Sequence, residues 1–173
     1  MSSRTRSLSH SAVLLALSLT VACQQVPSSE PASSANELVG VWSMTAVDPG
    51  DGSPVIEPSQ PGLYIFADGY YSAVYAPGTD PRIQSEVSFQ PTQEEMVVQY
   101  ETIIVNTGTY EISGSMVTFR PIIAKSPGFV GGHQTSTFRV DGDTLVLTLE
   151  TVIAADGVSA PNVSGSLTFV RVE

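Results

Sequence analysis

Short segments of alternating apolar and polar residues, separated by two-residue turn signals, recur along this chain and restrict its fold more than any other feature. In "GLYIFADGYYSAVYA", Asp68-Gly69 sits between two aromatic-rich stretches and predicts a tight hairpin. "NTGTYEISGSMVTFRPII" predicts a second hairpin turning at Ser113-Gly114, and "TSTFRVDGDTLVLTLETVI" a third near Asp141-Gly142. "ELVGVWSMTAV" at the start and "SGSLTFVRVE" at the end read as further strands, being rich in β-branched and large apolar residues. Eight strands result, at about 38–47, 61–67, 70–76, 107–113, 115–123, 134–140, 143–153 and 164–172. One segment breaks the pattern. "PTQEEMVVQYETIIV" opens with Thr92-x-x-Glu95, a capping box, and Met96, Tyr100, Ile103 and Ile104 follow at helical spacing. A short helix is expected there, with a strand through the β-branched Val97, Val98, Ile103, Ile104 and Val105 as the competing reading.

Eight sequential strands with tight hairpins predict an all-β domain, an eight-stranded antiparallel up-and-down barrel with one short helix, which leaves no exposed edge. A β-sandwich is the alternative. At this strand number the interior holds either packed side chains or one small ligand.

Ahead of the domain, "MSSRTRSLSHSAVLLALSLTVACQQVPSSEPASS" carries Arg4 and Arg6 before an apolar run of 11 residues, Ala12 to Ala22. That run is shorter than the roughly 20 residues a membrane-spanning helix needs. It fits the core of a secretory signal. "TVAC" ends it at Cys23, the only cysteine of the chain. Small residues before a cysteine resemble the bacterial lipobox. The resemblance implies cleavage after residue 22 and acylation of Cys23, which would tie the protein to a membrane through a lipid anchor. An ordinary signal peptide leaving a free thiol is the alternative. Gln24 rather than Asp after the cysteine implies, by resemblance to sorting in Gram-negative cells, an outer-membrane lipoprotein on the periplasmic face. Residues 23–36 then read as a disordered tether without periodicity, and 37–173 as a single domain of 137 residues.

The chain holds 7 Lys+Arg against 17 Asp+Glu, a net charge of −10. Loss of Arg4 and Arg6 with the signal would leave −12. Such a balance argues against nucleic acid and against docking on anionic lipid, both of which need clustered cations.

Three stretches resemble lipocalins and related calycin barrels. Gly40-x-Trp42 in "LVGVWSM" matches their first-strand motif, and "FVRV" puts Arg171 where such barrels place an arginine over that tryptophan. "PGLYIFADGYYSAV", "NTGTYEISG" and "FRVDGDTLVLT" are similar to the lipocalin-like domain of bacterial and some fungal proteins. The resemblance implies a lipocalin-like barrel over 37–173 with Trp42 and Arg171 as a structural pair. A stacked indole and guanidinium is physically favourable in its own right.

Little chemistry is written in the strands. His133 in "GFVGGHQTS" is the one histidine after the signal, which leaves no Cys–His pair and no zinc-binding cluster. A base at the barrel mouth and an exposed loop histidine are its two readings. Asp141-Gly-Asp143 reads as turn chemistry, and Asp48, Asp51 and Glu57 share a Pro/Gly-rich loop. No cofactor is implied. Aromatic residues are the richer set. Tyr64, Tyr71, Tyr75 and Tyr110, with the mid-strand Arg120 and Arg139, are the candidate lining of a ligand pocket. Tyr71, Ala73 and Tyr75 share one strand face, and a buried arginine would need an anionic partner. The expected partner is a small hydrophobic molecule. Two alternatives stand beside it: an isomerase or cyclase using Tyr110, Glu111 and Arg120, and a filled barrel with a structural role. Small inward residues such as Ala73, Gly108 and Ser115 would leave room for a ligand.

Overall fold

A computed structural model describes residues 35–172 apart from Asn162. The expected signal, Cys23 and the tether as far as residue 34 lie outside the described residues. A helical turn, α1 (Ala35–Leu38), takes up what composition marked as the end of the tether. The strands follow as β1 (Gly40–Asp48), β2 (Gly62–Ala67), β3 (Tyr70–Tyr75), β4 (Ile104–Ser113), β5 (Met116–Ala124), β6 (His133–Asp141), β7 (Thr144–Ile153) and β8 (Ser166–Arg171). A second helix, α2 (Gln93–Glu101), precedes β4, and a 3-10 turn, Pro127–Phe129, precedes β6. Each strand pairs antiparallel with the next, and β1 pairs with β8, so the sheet is a closed barrel.

Alternation decides which residues fill it. On β2, Tyr64 and Phe66 are buried while Leu63 and Ile65 are exposed. On β3, Tyr71 and Ala73 turn inward, and on β8, Leu167 and Phe169 do so. With Val117, Phe119, Phe138, Leu145 and Leu147 they make one contiguous core. Burying a Leu or Phe side chain contributes about 1.5–3 kcal/mol, so this row of interior positions is the main source of stability.

The two ends of the barrel differ. Three two-residue turns gather at one end: Asp68-Gly69, Gly114-Ser115 and Gly142-Asp143, the last two a residue later than the sequence signals implied. Asp68 and Gly69 both have positive φ, 42° and 83°, the backbone a twisted hairpin demands and one that Asp and Gly tolerate best. Ser115 therefore sits in an exposed turn and leaves no interior room. Leu38 of α1 is fully buried at this end beside Trp42. The Trp42 indole N–H donates to the Leu38 carbonyl at 2.8 Å. Arg171 Cζ lies 4.0 Å from the Trp42 ring centroid, and its two terminal nitrogens donate to the Val39 and Glu37 carbonyls, each at 2.8 Å. One guanidinium thus joins the last strand, the first strand and α1. The opposite end carries the long connections, 49–61, 76–103, 125–132 and 154–165.

A bulge lies in the wall where Gly108 faces Pro121, with the β4–β5 register shifting between Thr107 and Gly108. A Cβ on Gly108 would collide with the Arg120 carbonyl oxygen, so only glycine permits this approach. Pro121 has no N–H to give the ladder and is accommodated at such a bulge.

Helix α2 differs from its sequence reading at its C-terminus. The capping box is present, but the helix stops at Glu101, and Ile104 and Val105 pair with Tyr75 and Val74 on β3. β4 begins three residues earlier than expected because the β-branched pair joins the ladder rather than extending the helix. No residue of α2 is buried.

Candidate functional site

At the long-loop end lies a cavity of about 520 Å³. Its strand wall comes from Tyr75 of β3, Ile104 and Asn106 of β4, Gln134 of β6, and Leu149 and Val152 of β7. Phe129 of the 3-10 turn and the loop stretch from Val158 to Pro161 form the rim, with Lys125 at its edge. The wall is apolar with a few neutral polar groups, in the size range of small-molecule sites. A second recess of about 680 Å³ is bordered by Ser43, Leu63 and Val74. These alternate with the inward Trp42, Tyr64 and Ala73, so that recess lies mainly on the outer face of the sheet and turns around its end at Gly62 and Tyr75.

Beneath the cavity the barrel is packed with rings. Tyr64 lies 4.8 Å from Phe169 and 6.2 Å from Tyr75, centroid to centroid. Tyr71 packs 4.8 Å from Phe119, and Tyr110 meets Phe66 edge-on at 5.3 Å. Burial pushes every one of these phenols up. Tyr71 rises to about 12. Tyr64 rises well above the usual tyrosine value, with Tyr75 and Tyr71 adding to the effect of burial. Tyr75 and Tyr110 are raised chiefly by burial as well. All four are therefore uncharged hydrogen-bond donors at neutral pH.

The predicted candidates divide accordingly. Tyr75 alone of the six lines the cavity, while Tyr64, Tyr71 and Tyr110 stand inside the barrel in the aromatic packing. Arg120 and Arg139 do not face the interior. Because Val117 and Phe119 point inward on β5, and Phe138 on β6, alternation turns both arginines to solvent. There Arg120 lies 4.0 Å from Glu111 and Arg139 lies 3.5 Å from Asp141, in exposed pairs. No anionic ligand is needed to explain them. The same parity separates the suggested catalytic trio, with Tyr110 inside the wall and Glu111 and Arg120 outside. His133 precedes the inward Gln134 and faces away from the cavity. Among the described residues, no three His, Cys, Asp or Glu side chains group closely enough to hold a metal ion. Among the small interior residues, Ala73 and Gly108 are buried.

Sequence reasoning missed Leu149, Val152, Asn106, Gln134 and the rim. Asn106, Gln134 and Leu149 continue the inward parity of Tyr110, Ser136 and Leu147 toward the long loops, and that continuation was the available signal. Val152 joins them only because the β6–β7 register shifts between Thr135 and Ser136, which strict alternation does not foretell. The rim residues carry no periodicity, and nothing local announces that they converge.

Residues 39–172 match the sequence model of a family described as "Lipocalin-like domain". No curated protein matches the chain.

Proposed function

The chain belongs to the lipocalin-like domain family, and from that premise we propose that its barrel binds a small, largely apolar molecule at the long-loop end. The cavity of about 520 Å³, apolar on most of its wall and seated on an aromatic core, is the observation that carries this reading. Burying apolar ligand surface there returns about 25 cal/mol per Å². We further infer that the protein is held in the cell envelope through acylated Cys23, as an outer-membrane lipoprotein on the periplasmic side. The basic and apolar leader and the small residues before that cysteine support this.

The test is a titration of the full-length chain with the neutral dye N-phenylnaphthylamine, whose emission brightens in an apolar site. Saturable enhancement is expected. Leu149→Trp, which fills the cavity from β7, should weaken it about tenfold or more while the far-ultraviolet circular dichroism is unchanged. Binding that ignores this substitution, or no saturable binding to the native chain, would overturn the assignment.

A further inference from the structure

Three tyrosines surround one small residue inside the barrel. Tyr71 and Tyr75 flank Ala73 on the inward face of β3, and Tyr64 is the direct cross-strand partner of Ala73 on β2. Ala73 is 2 % exposed, Tyr64 5 % and Tyr71 4 %. Ala73 contributes only a methyl group to this part of the interior. No hydrogen bond engages the hydroxyl of Tyr64, Tyr71 or Tyr75 among the described residues; the Tyr71 bond on this stretch uses its carbonyl, which accepts from Thr107 at 2.7 Å. Ser59 Oγ is the one fully enclosed side-chain polar atom without a partner among the described residues. The three tyrosine hydroxyls are therefore not sealed in by packing. Hydroxyls on buried rings meet an acceptor from protein, water or ligand, so three donors without a protein partner around a small residue mark a place able to receive an acceptor oxygen.

The charge of that acceptor follows from what lies around it. Among the described residues, Ser136 is the one buried polar side chain beside the tyrosines and the Trp42 indole. It accepts from Gln134 at 3.2 Å, a neutral pair. Arg120 and Arg139 are outside the wall, and Arg171 is engaged at the closed end. Lys125 stands at the rim, its ammonium donating to the Tyr100 carbonyl at 3.2 Å and lying 4.8 Å over that ring. Arg82 borders the outer recess together with Tyr75 and donates to the Gln99 carbonyl at 3.0 Å. Among the described residues no cation pairs with Tyr64, Tyr71 or Tyr75, and a buried carboxylate without one carries a heavy desolvation penalty.

Resting on the cavity reading above, we propose that Tyr64, Tyr71 and Tyr75 form an inner polar subsite that receives an uncharged acceptor oxygen, a ketone or ester carbonyl, of an otherwise apolar ligand. Tyr75 belongs both to this cluster and to the cavity wall, so it links the subsite to the mouth. The raised pKa values keep the donors protonated through the physiological range. The ligand class is thus a neutral carbonyl-bearing apolar molecule, and the free acid is disfavoured.

A propionyl-dimethylaminonaphthalene dye tests this, since its emission reports hydrogen bonding to its ketone. With the full-length chain, saturable binding is expected. Tyr64→Phe and Tyr71→Phe, which keep the ring volume and hence the fold, should each weaken it about tenfold and shift the bound emission to the blue, as loss of one donor in a dry site predicts. N-phenylnaphthylamine, which has no carbonyl, should bind both variants as it binds the native chain. The dimethylaminonaphthoate analogue, a carboxylate, should bind at least about tenfold more weakly than the ketone. Unchanged ketone binding and emission in both variants would overturn the subsite while leaving the cavity reading intact. Carboxylate binding as tight as the ketone's, and sensitive to Lys125→Ala, would overturn the neutrality of the ligand. Failure of both neutral dyes to bind the native chain would remove the cavity reading and this inference with it.

Discussion

Burial of the phenols has a consequence for stability that belongs to single residues. The folded chain holds Tyr71 at about 12, against an ordinary tyrosine value of 10.0. Between those values the unfolded chain has shed a proton that the folded chain retains. The native state then binds more protons than the unfolded state, so the unfolding free energy falls as pH rises. Tyr64, shifted further in the same direction, extends the effect. The urea midpoint should be level through neutral pH, decline from about pH 10, and lose the Tyr71 contribution entirely above about 12. Tyr71→Phe should flatten that decline, and a urea series followed by circular dichroism would show it. Trp42 and Arg171 were legible in the sequence because one short motif and one closing arginine carry them. The direction of Arg120 and Arg139 was also within reach, since Val117, Phe119 and Phe138 fix the parity of their strands. Reading each arginine alone, as a charge in search of a partner, passed over its neighbours.

At the scale of elements, α2 shows how a local signal can be right about a start and silent about an end. Thr92 Oγ1 accepts from the Glu95 N–H at 3.3 Å, and Glu95 accepts in return from the Thr92 N–H at 2.7 Å. Those bonds, with another from the Glu86 N–H, hold the Glu95 carboxyl below its usual range. Nothing comparable marks the C-terminus. Ile103 and Ile104 fit a helical spacing by coincidence, and the β3 edge takes Ile104 instead because pairing there satisfies backbone groups a short helix would leave to water. Met96, Val97, Val98 and Tyr100 are all exposed, so α2 depends on its cap and on polar ties. Tyr100 and Lys125 exchange hydroxyl-to-carbonyl and ammonium-to-carbonyl bonds, each at 3.2 Å. Arg82 donates to the Gln99 carbonyl at 3.0 Å, and the Gln99 amide donates to Ser85 Oγ at 2.9 Å. Thr92→Ala removes a cap worth about 1 kcal/mol. Amide exchange across 93–101 should quicken about fivefold while the global urea midpoint barely moves, because the core has lost nothing. A matching fall in global stability would mean that α2 and the barrel unfold as one unit. Hydrogen exchange read by mass spectrometry separates the two results.

For the whole molecule, closure was readable and the cavity was not. Strand count, tight turns and matched first and last strands are periodic features, and they lead to a β1–β8 seam. The cavity is made where Phe129 and the stretch from Val158 to Pro161 meet the ends of β4, β6 and β7, a convergence that no local pattern encodes. The proposed anchor is tested at this scale too. Cys23→Ser should move the protein from the membrane fraction to the soluble fraction of the envelope, and a variant that stays with the membrane would refute acylation as its tether. Finally, α1 and the last residues of β8 lie together at the end closed by the tight turns, remote from the mouth. As a laboratory reagent the barrel therefore comes with both of its handles on the same side. Immobilised on a sensor chip by a linker at residue 35, or carrying a fluorescent label at Val172, it would offer its open end unobstructed to whatever flows past.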